Sequence, residues 1–365
     1  MDYPIRVLIV NGKMICGGVE AFIMNIYRHI DRTKVQFDFL VHYKERFFYD
    51  DEIEKLGGKI YRLSFRNDKN FFKYKHDLNK FFKEHKEYSI VWGHMDGLAA
   101  IYMRSAKKNG IKTTIAHAHI TSAERSLKGL VKRFLRKKIS KYADLRFACS
   151  TEAGKYLYGK NEFKIIPNAI EIARFKFNKN IRDKIRLQYK WDNKIVLGHV
   201  GRFNDQKNHK FLIEIFKRLL DINDQYYLCL CGDGENRQSI EKQISDMNLN
   251  DKVLLMGNIA NVNELYQAFD LFLMPSLYEG LPVSGIEAQA SGLNCIFSDT
   301  ITHEVALLPD KVKFISLSQS SDTWADIINS TVGYDRIDTT EIIKNAGYDI
   351  IDESFNLQSF FTRIQ

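Results

Sequence analysis

Short apolar runs at 6–10, 36–41, 60–63, 90–92, 113–116 and 145–149 alternate along the chain with stretches whose apolar residues recur every three or four positions. The first pattern predicts buried strands and the second amphipathic helices, so together they predict a parallel sheet covered by helices. After Pro167-Asn168-Ala169-Ile170 the alternation restarts, with runs at 195–200, 226–231, 253–256, 271–274 and 294–298. The reading is α/β with two Rossmann-like, doubly wound domains: one over 1–170, one over 171–350, and a helical 351–365 that packs back on the first. A chain of 365 residues exceeds what one hydrophobic core serves, so two domains facing across a cleft are expected.

Composition changes this picture little. The chain is 45% hydrophobic and 27% charged, ordinary for a globular protein. Cys16, Cys149, Cys229, Cys231 and Cys295 are odd in number and scattered, and read as reduced thiols without a metal set. The first apolar run is too short and too charged for a signal peptide, and no run approaches a membrane span, so a cytoplasmic protein is expected.

Charge adds one feature. The net +9 is concentrated between 101 and 150, where 13 Lys or Arg face Glu124 and Asp144. Much of it lies in 125–141, where Leu127, Leu130, Val131, Phe134, Leu135 and Ile139 recur at helical spacing opposite Lys128, Lys132, Arg133, Arg136 and Lys137. This basic amphipathic helix admits two readings: a surface helix packed on its own domain, or a contact with anionic lipid at a membrane surface. Nucleic acid is not expected, because no stacking aromatics interleave the charges.

Three segments carry candidate chemistry. The strand at 195–200 runs into Gly201-Arg202-Phe203-Asn204-Asp205-Gln206-Lys207-Asn208, where two cations five residues apart suit a diphosphate at the strand ends. The strand at 271–274 leads through Glu279-Gly280-Leu281-Pro282 into a predicted helix whose first N–H groups suit an anion. Glu279 and Glu287 in that segment suit sugar hydroxyls, so the two features together fit a sugar nucleotide. Gly17-Gly18 opens the first helix and Gly232-Asp233-Gly234 follows a later strand, yet neither makes the G-x-G-x-x-G dinucleotide fingerprint. His117 and His119 share one face at the end of the fifth strand, and the residues alone leave them structural or ligand-binding.

Taken in order, Gly17-Gly18-Val19-Glu20, Pro167-Asn168-Ala169-Ile170 with Phe175, Val200-Gly201-Arg202 through Gln206-Lys207-Asn208, Gly232-Asp233-Gly234-Glu235, and Glu279 and Glu287 with seven residues between them resemble glycosyltransferase family 4. These are retaining enzymes of two Rossmann-like domains (GT-B) that carry a Glu-x7-Glu motif. Ala116-His117-Ala118-His119 and Glu287-Ala288-Gln289-Ala290 bring the chain nearest the capsule and exopolysaccharide members.

The resemblance implies a nucleotide-sugar donor, a UDP-sugar by family habit, and an acceptor saccharide on undecaprenyl diphosphate at the inner face of a bacterial membrane. It implies that Arg202 and Lys207 hold the diphosphate, Glu279 contacts the transferred sugar and Glu287 binds the ribose. Gly17 and Gly18 would close on the phosphates, Gly232 and Gly234 would allow close approach of the nucleotide, and Gly280, Leu281 and Pro282 would line the anion site. One strand-end histidine would touch the donor sugar, with His119 favoured over His117. No cofactor and no metal are expected, since no Asp-x-Asp stands at a strand end. Ile120, where these enzymes often carry a polar residue, leaves the acceptor contacts open. Two rival readings stand beside this one: a sugar-nucleotide epimerase of the same fold, and a non-enzymatic lipid-binding protein.

Overall fold

The computed structural model describes residues 3–95, 98–119 and 138–365. Their contacts divide the chain into two compact units, 1–169 with 350–365, and 170–349.

The first unit holds a seven-stranded sheet: β1 (Ile5–Val10), β2 (Val35–Val41), β3 (Ile60–Arg62), β4 (Ile90–Gly93), β5 (Thr113–Ala118), β6 (Leu145–Ala148) and β7 (Lys164–Ile165), in the order β3-β2-β1-β4-β5-β6-β7. All pairings are parallel. The chain therefore turns back between β1 and β4, and strand-end loops diverge there to leave room for a ligand. Every residue of β2 is buried, as strands covered by helices on both faces require. Asp38 in β2 tolerates this because Arg6 pairs with it bidentately at 2.6 Å and Tyr88 donates to it at 2.7 Å.

The C-terminal helix Ile350–Ile364 belongs to the first unit. Ile350, Leu357 and Phe361 enter its core beside Phe37 and Trp92, and Gln358 accepts from the Asp31 N–H at 2.9 Å.

The second unit has six parallel strands: β8 (Ile195–Val200), β9 (Tyr226–Cys231), β10 (Val253–Gly257), β11 (Leu271–Met274), β12 (Cys295–Ser298) and β13 (Val312–Ile315), in the order β10-β9-β8-β11-β12-β13. Its core joins Leu197, Leu228, Leu230 and Leu273 to the apolar stripe of helix His209–Ile222 and to Trp324. The turn-back lies between β8 and β11, beneath the two loops that carry the charged motifs. Cys229 and Cys231 are free and buried in β9, with sulfurs 3.9 Å apart. Among the described residues, no helix is long and apolar enough to cross a membrane.

Candidate functional site

In the second unit the loop after β8 makes one tight turn, Asp205–Lys207, before helix His209–Ile222. The Asn204 side chain caps that turn by accepting from the Lys207 N–H at 3.2 Å. Hydrogen bonds tie this loop to the one after β11. Asn208 Nδ2 donates to the Pro275 carbonyl at 3.1 Å, and the Leu277 N–H donates to the Gln206 carbonyl at 2.8 Å.

The junction fixes a buried ion pair. Lys207 Nζ lies 2.7 Å from Glu279 Oε1, with side chains only 13% and 8% exposed. Gln206 Nε2 donates to Glu279 Oε2 at 3.1 Å and to the Tyr278 carbonyl at 2.9 Å. Desolvating two charges is costly unless they are paired and further hydrogen-bonded, and here both conditions hold. The result is an ammonium held without freedom to swing, at the carboxyl end of a parallel sheet.

Glu287 lies in helix Val283–Ala290 and takes a different partner. The Tyr266 hydroxyl, carried by the neighbouring helix Val262–Ala268, donates to its Oε2 at 2.9 Å. Burial pushes this carboxyl up to about 7, against smaller downward pulls from that hydrogen bond and from Arg174. Glu287 is thus poised to change charge near neutral pH. Pro282 precedes the first turn of its helix and no side chain caps it, so the helix start retains its preference for an anion. Gly280 and Leu281 connect Glu279 to that start.

Arg202 takes a different partner from Lys207. It pairs with Glu235 at 3.0 Å, both side chains being about half exposed at 52% and 56%. A pair of that kind contributes at most about 1 kcal/mol and breaks readily. Glu235 follows Gly232-Asp233-Gly234, whose glycines serve backbone packing. At Gly232, φ is +136° and a Cβ would lie 2.0 Å from the Gly201 carbonyl oxygen, while one at Gly234 would lie 2.4 Å from that of Phe203. The loops after β8 and β9 touch only because both positions lack a side chain.

In the first unit the ends of β4 and β5 carry imidazoles where the strand ends of the second carry ion pairs. His94, just past β4, and His117 and His119, at the end of β5, stack as three rings with centroids 4.2 to 5.3 Å apart. His94 Nδ1 and His119 Nε2 are 2.9 Å apart and share one hydrogen bond. Phe22 meets His117 edge-on and Trp92 stacks on it. Burial holds the His94 and His117 imidazoles well below their usual range and pushes His119 down to about 3, so all three are neutral at physiological pH.

Gly17 precedes helix Gly18–His29 in extended backbone. The Glu20 carboxylate lies close by, 2.5 Å from where a Cβ at Gly17 would stand. That carboxylate accepts from Asn11 Nδ2 at 3.0 Å and so folds back over the helix start.

Lys207 and Glu279 are therefore in contact, Glu287 and Arg202 have separate partners, and His117 and His119 adjoin each other. Lys128, Lys132, Arg133, Arg136 and Lys137 lie outside the described residues. Sequence reasoning passed over Gln206 as a ligand of Glu279, Tyr266 as the partner of Glu287, and His94 as the third ring. Gln206 adjoins Lys207 in the same motif, which was a usable signal. Nothing in the local pattern marks Tyr266 or His94.

Models of two families match the chain: Glycosyltransferase Family 4 over residues 16–174 and Glycosyl transferases group 1 over 181–348. The chain is 35% identical over 332 residues to the putative glycosyltransferase EpsF of Bacillus subtilis, covering 88% of this chain and 86% of that one. It is 30% identical, over 61% of its length and 60% of the relative's, to the Escherichia coli UDP-Gal:alpha-D-GlcNAc-diphosphoundecaprenol alpha-1,3-galactosyltransferase. It is 25% identical to the capsular polysaccharide biosynthesis glycosyltransferase CapH of Staphylococcus aureus, over 90% and 91% of the two chains. Among solved structures, Anabaena HepE in complex with UDP and glucose superposes with a TM-score of 0.78 at 17% identity, covering 97% of this chain and 98% of that one. At that identity the likeness speaks for the shared two-domain GT-B fold.

Proposed function

The chain belongs to glycosyltransferase family 4, and from that premise we propose that it is a retaining enzyme of bacterial exopolysaccharide or capsule synthesis. It takes a hexose-type sugar from a UDP-sugar and adds it to a saccharide carried on undecaprenyl diphosphate. The observation that carries this reading is the buried Lys207–Glu279 pair at 2.7 Å, beside a helix start and at the sheet's turn-back. It offers a fixed cation for a diphosphate next to a fixed carboxylate for a sugar hydroxyl. The named substrates of the E. coli relative and the UDP and glucose bound to HepE support the choice of donor and acceptor.

In this mechanism Lys207, Arg202 and the N–H groups at the start of helix Val283–Ala290 stabilise negative charge as the bond from the sugar anomeric carbon to the diphosphate oxygen breaks. The acceptor hydroxyl forms its new bond on the same face and passes its proton to the departing phosphate oxygen. Glu279 orients the transferred sugar, Glu287 accepts from the ribose hydroxyls, and His119 contacts the sugar. The backbone at Gly17 and Gly18 and the loop of Gly232 and Gly234 approach the nucleotide, with His117 behind His119. Charge on the diphosphate is balanced by the protein, so the reaction needs no metal there, and the enzyme works as a peripheral protein at the inner membrane face.

Incubating the protein with a panel of UDP- and GDP-sugars and a soluble polyprenyl-diphosphate saccharide, in excess chelator, tests this reading. The expected product keeps the anomeric configuration of a UDP-sugar donor. An inverted product, or a changed sugar nucleotide released without acceptor as an epimerase would give, overturns it.

A further inference from the structure

We propose that His94, His117 and His119 form a binding site for a zinc-type divalent transition-metal ion. One ligating nitrogen from each residue lies within 4.8 Å of the others. In a tetrahedral zinc site, with Zn–N bonds of about 2.0–2.1 Å, ligand nitrogens stand about 3.3 Å apart, so small side-chain rotations close the set. Two members are already closer than that, His94 Nδ1 and His119 Nε2 at 2.9 Å, and coordination would take the place of the hydrogen bond between them.

The surroundings ask for such a ligand. Both nitrogens of His117 and Nε2 of His94 are buried and have no hydrogen-bond partner among the described residues. Buried polar atoms left in that state are rare in folded proteins and point to a group that completes them. His94 and His117 are only 6% and 1% exposed, whereas His119 is partly exposed and gives an ion its route of entry. Phe22, Trp92 and Phe147 pack their rings against His117 and so fix the side chain at the centre of the set.

The ligand chemistry selects the ion. Among the described residues the set is three imidazoles without a carboxylate, which suits zinc and its neighbours and does not suit magnesium or calcium, which take oxygen ligands. With three ligands among the described residues, a fourth position is left for water or substrate, the pattern of a reactive rather than a purely structural zinc site. The placement agrees, since the strand ends of β4 and β5 border the turn-back of the first sheet.

One consequence rests on the proposed function above: an imidazole lone pair of His119 spent on the metal is withdrawn from the donor sugar, so loading slows transfer. The site itself does not depend on that reading.

The test uses the full chain, free of any affinity tag and stripped with chelator. Zinc is titrated against a chromogenic competitor, and cobalt is added separately to read the visible bands of four-coordinate Co(II). One zinc per chain is expected, with a dissociation constant below about 10 µM, and intense cobalt bands. His119→Gln and His94→Asn should each weaken zinc binding by at least about tenfold, while exposed His76→Gln leaves it unchanged. Melting temperatures are read for each variant, and weakened zinc binding in a variant that keeps the parent value separates lost ligation from lost fold. Absence of zinc binding at about 100 µM, roughly ten times the expected constant, or equal binding by the parent and both ligand variants, overturns the site. Zinc-loaded protein that still transfers at full rate supports the site and counts against His119 as the sugar contact.

Discussion

The two units share a strand order around their turn-back, yet their strand ends differ in kind. In the second unit Lys207, Glu279, Arg202 and Glu235 are engaged in ion pairs, and Glu287 is held by a tyrosine. In the first unit three neutral imidazoles stack among aromatic rings, and several of their nitrogens lack partners among the described residues. One topology supports both, because the fold fixes where loops converge and leaves loop residues to set the chemistry. The charged end suits the anionic donor of the proposed function, and the imidazole end suits the metal ion proposed above.

The sharpest way to break this contrast is to discharge the charged end. Lys207→Ala should reduce kcat/KM on the order of a hundredfold or more, the loss typical of one preorganised electrostatic donor. Steady-state kinetics with circular dichroism checks it: a folded variant with undiminished turnover would remove Lys207 from the diphosphate. Since the change also strands Glu279, Lys207→Met combined with Glu279→Gln keeps the shape without an unpaired buried charge and should remain as inactive.

A second test sharpens the contrast through pH. A carboxylate accepts from ribose hydroxyls better than a carboxylic acid, so donor affinity should rise as pH climbs through about 7 and fall up to about tenfold per unit below it. Stability should run the opposite way. The folded carboxyl holds its proton more tightly than its ordinary value of 4.5, so its stabilising share is complete below that pH and is lost as pH rises through about 7. The loss is at most about 3 kcal/mol. Glu287→Gln should therefore melt higher than the parent at pH 8 while losing the pH dependence of donor binding. Calorimetry at pH 5 and pH 8 reads both effects, and parallel melting curves for parent and variant would refute the assignment.

The smallest effect belongs to Arg202. Its pair with Glu235 is half exposed and costs little to break, so Arg202→Ala should leave the melting temperature within about 1–2 °C. Donor KM should rise severalfold if the guanidinium turns from Glu235 to the diphosphate. An unchanged KM would confine the charged end to Lys207 and the helix start.

The alternation of apolar runs and helical stretches was enough to read a parallel α/β chain, because strand and helix periods are written locally. The reading missed β7 and β13. Lys164–Ile165 is two exposed residues with no pattern to detect, and Val312–Ile315 follows Pro309-Asp310-Lys311, which reads as a turn running on into a loop. The motif glutamates were legible for the same local reason, since a fixed spacing within one loop and helix survives in any sequence listing.

What the sequence determined by itself was thus the α/β architecture, the restart of the pattern near residue 170, and the family resemblance carried by Glu279 and Glu287. Only the tertiary structure decided which side chains meet: Lys207 with Glu279, Tyr266 with Glu287, and His94 with His117 and His119. The reason is that neighbouring parallel strands are joined by crossovers of a helix or more. Residues that touch at the strand ends, or on neighbouring helices in the case of Tyr266 and Glu287, are therefore separated along the chain by 72, 25 and 21 positions. Periodicity says which face of a strand a residue takes, and sheet order alone says whose loop lies beside it.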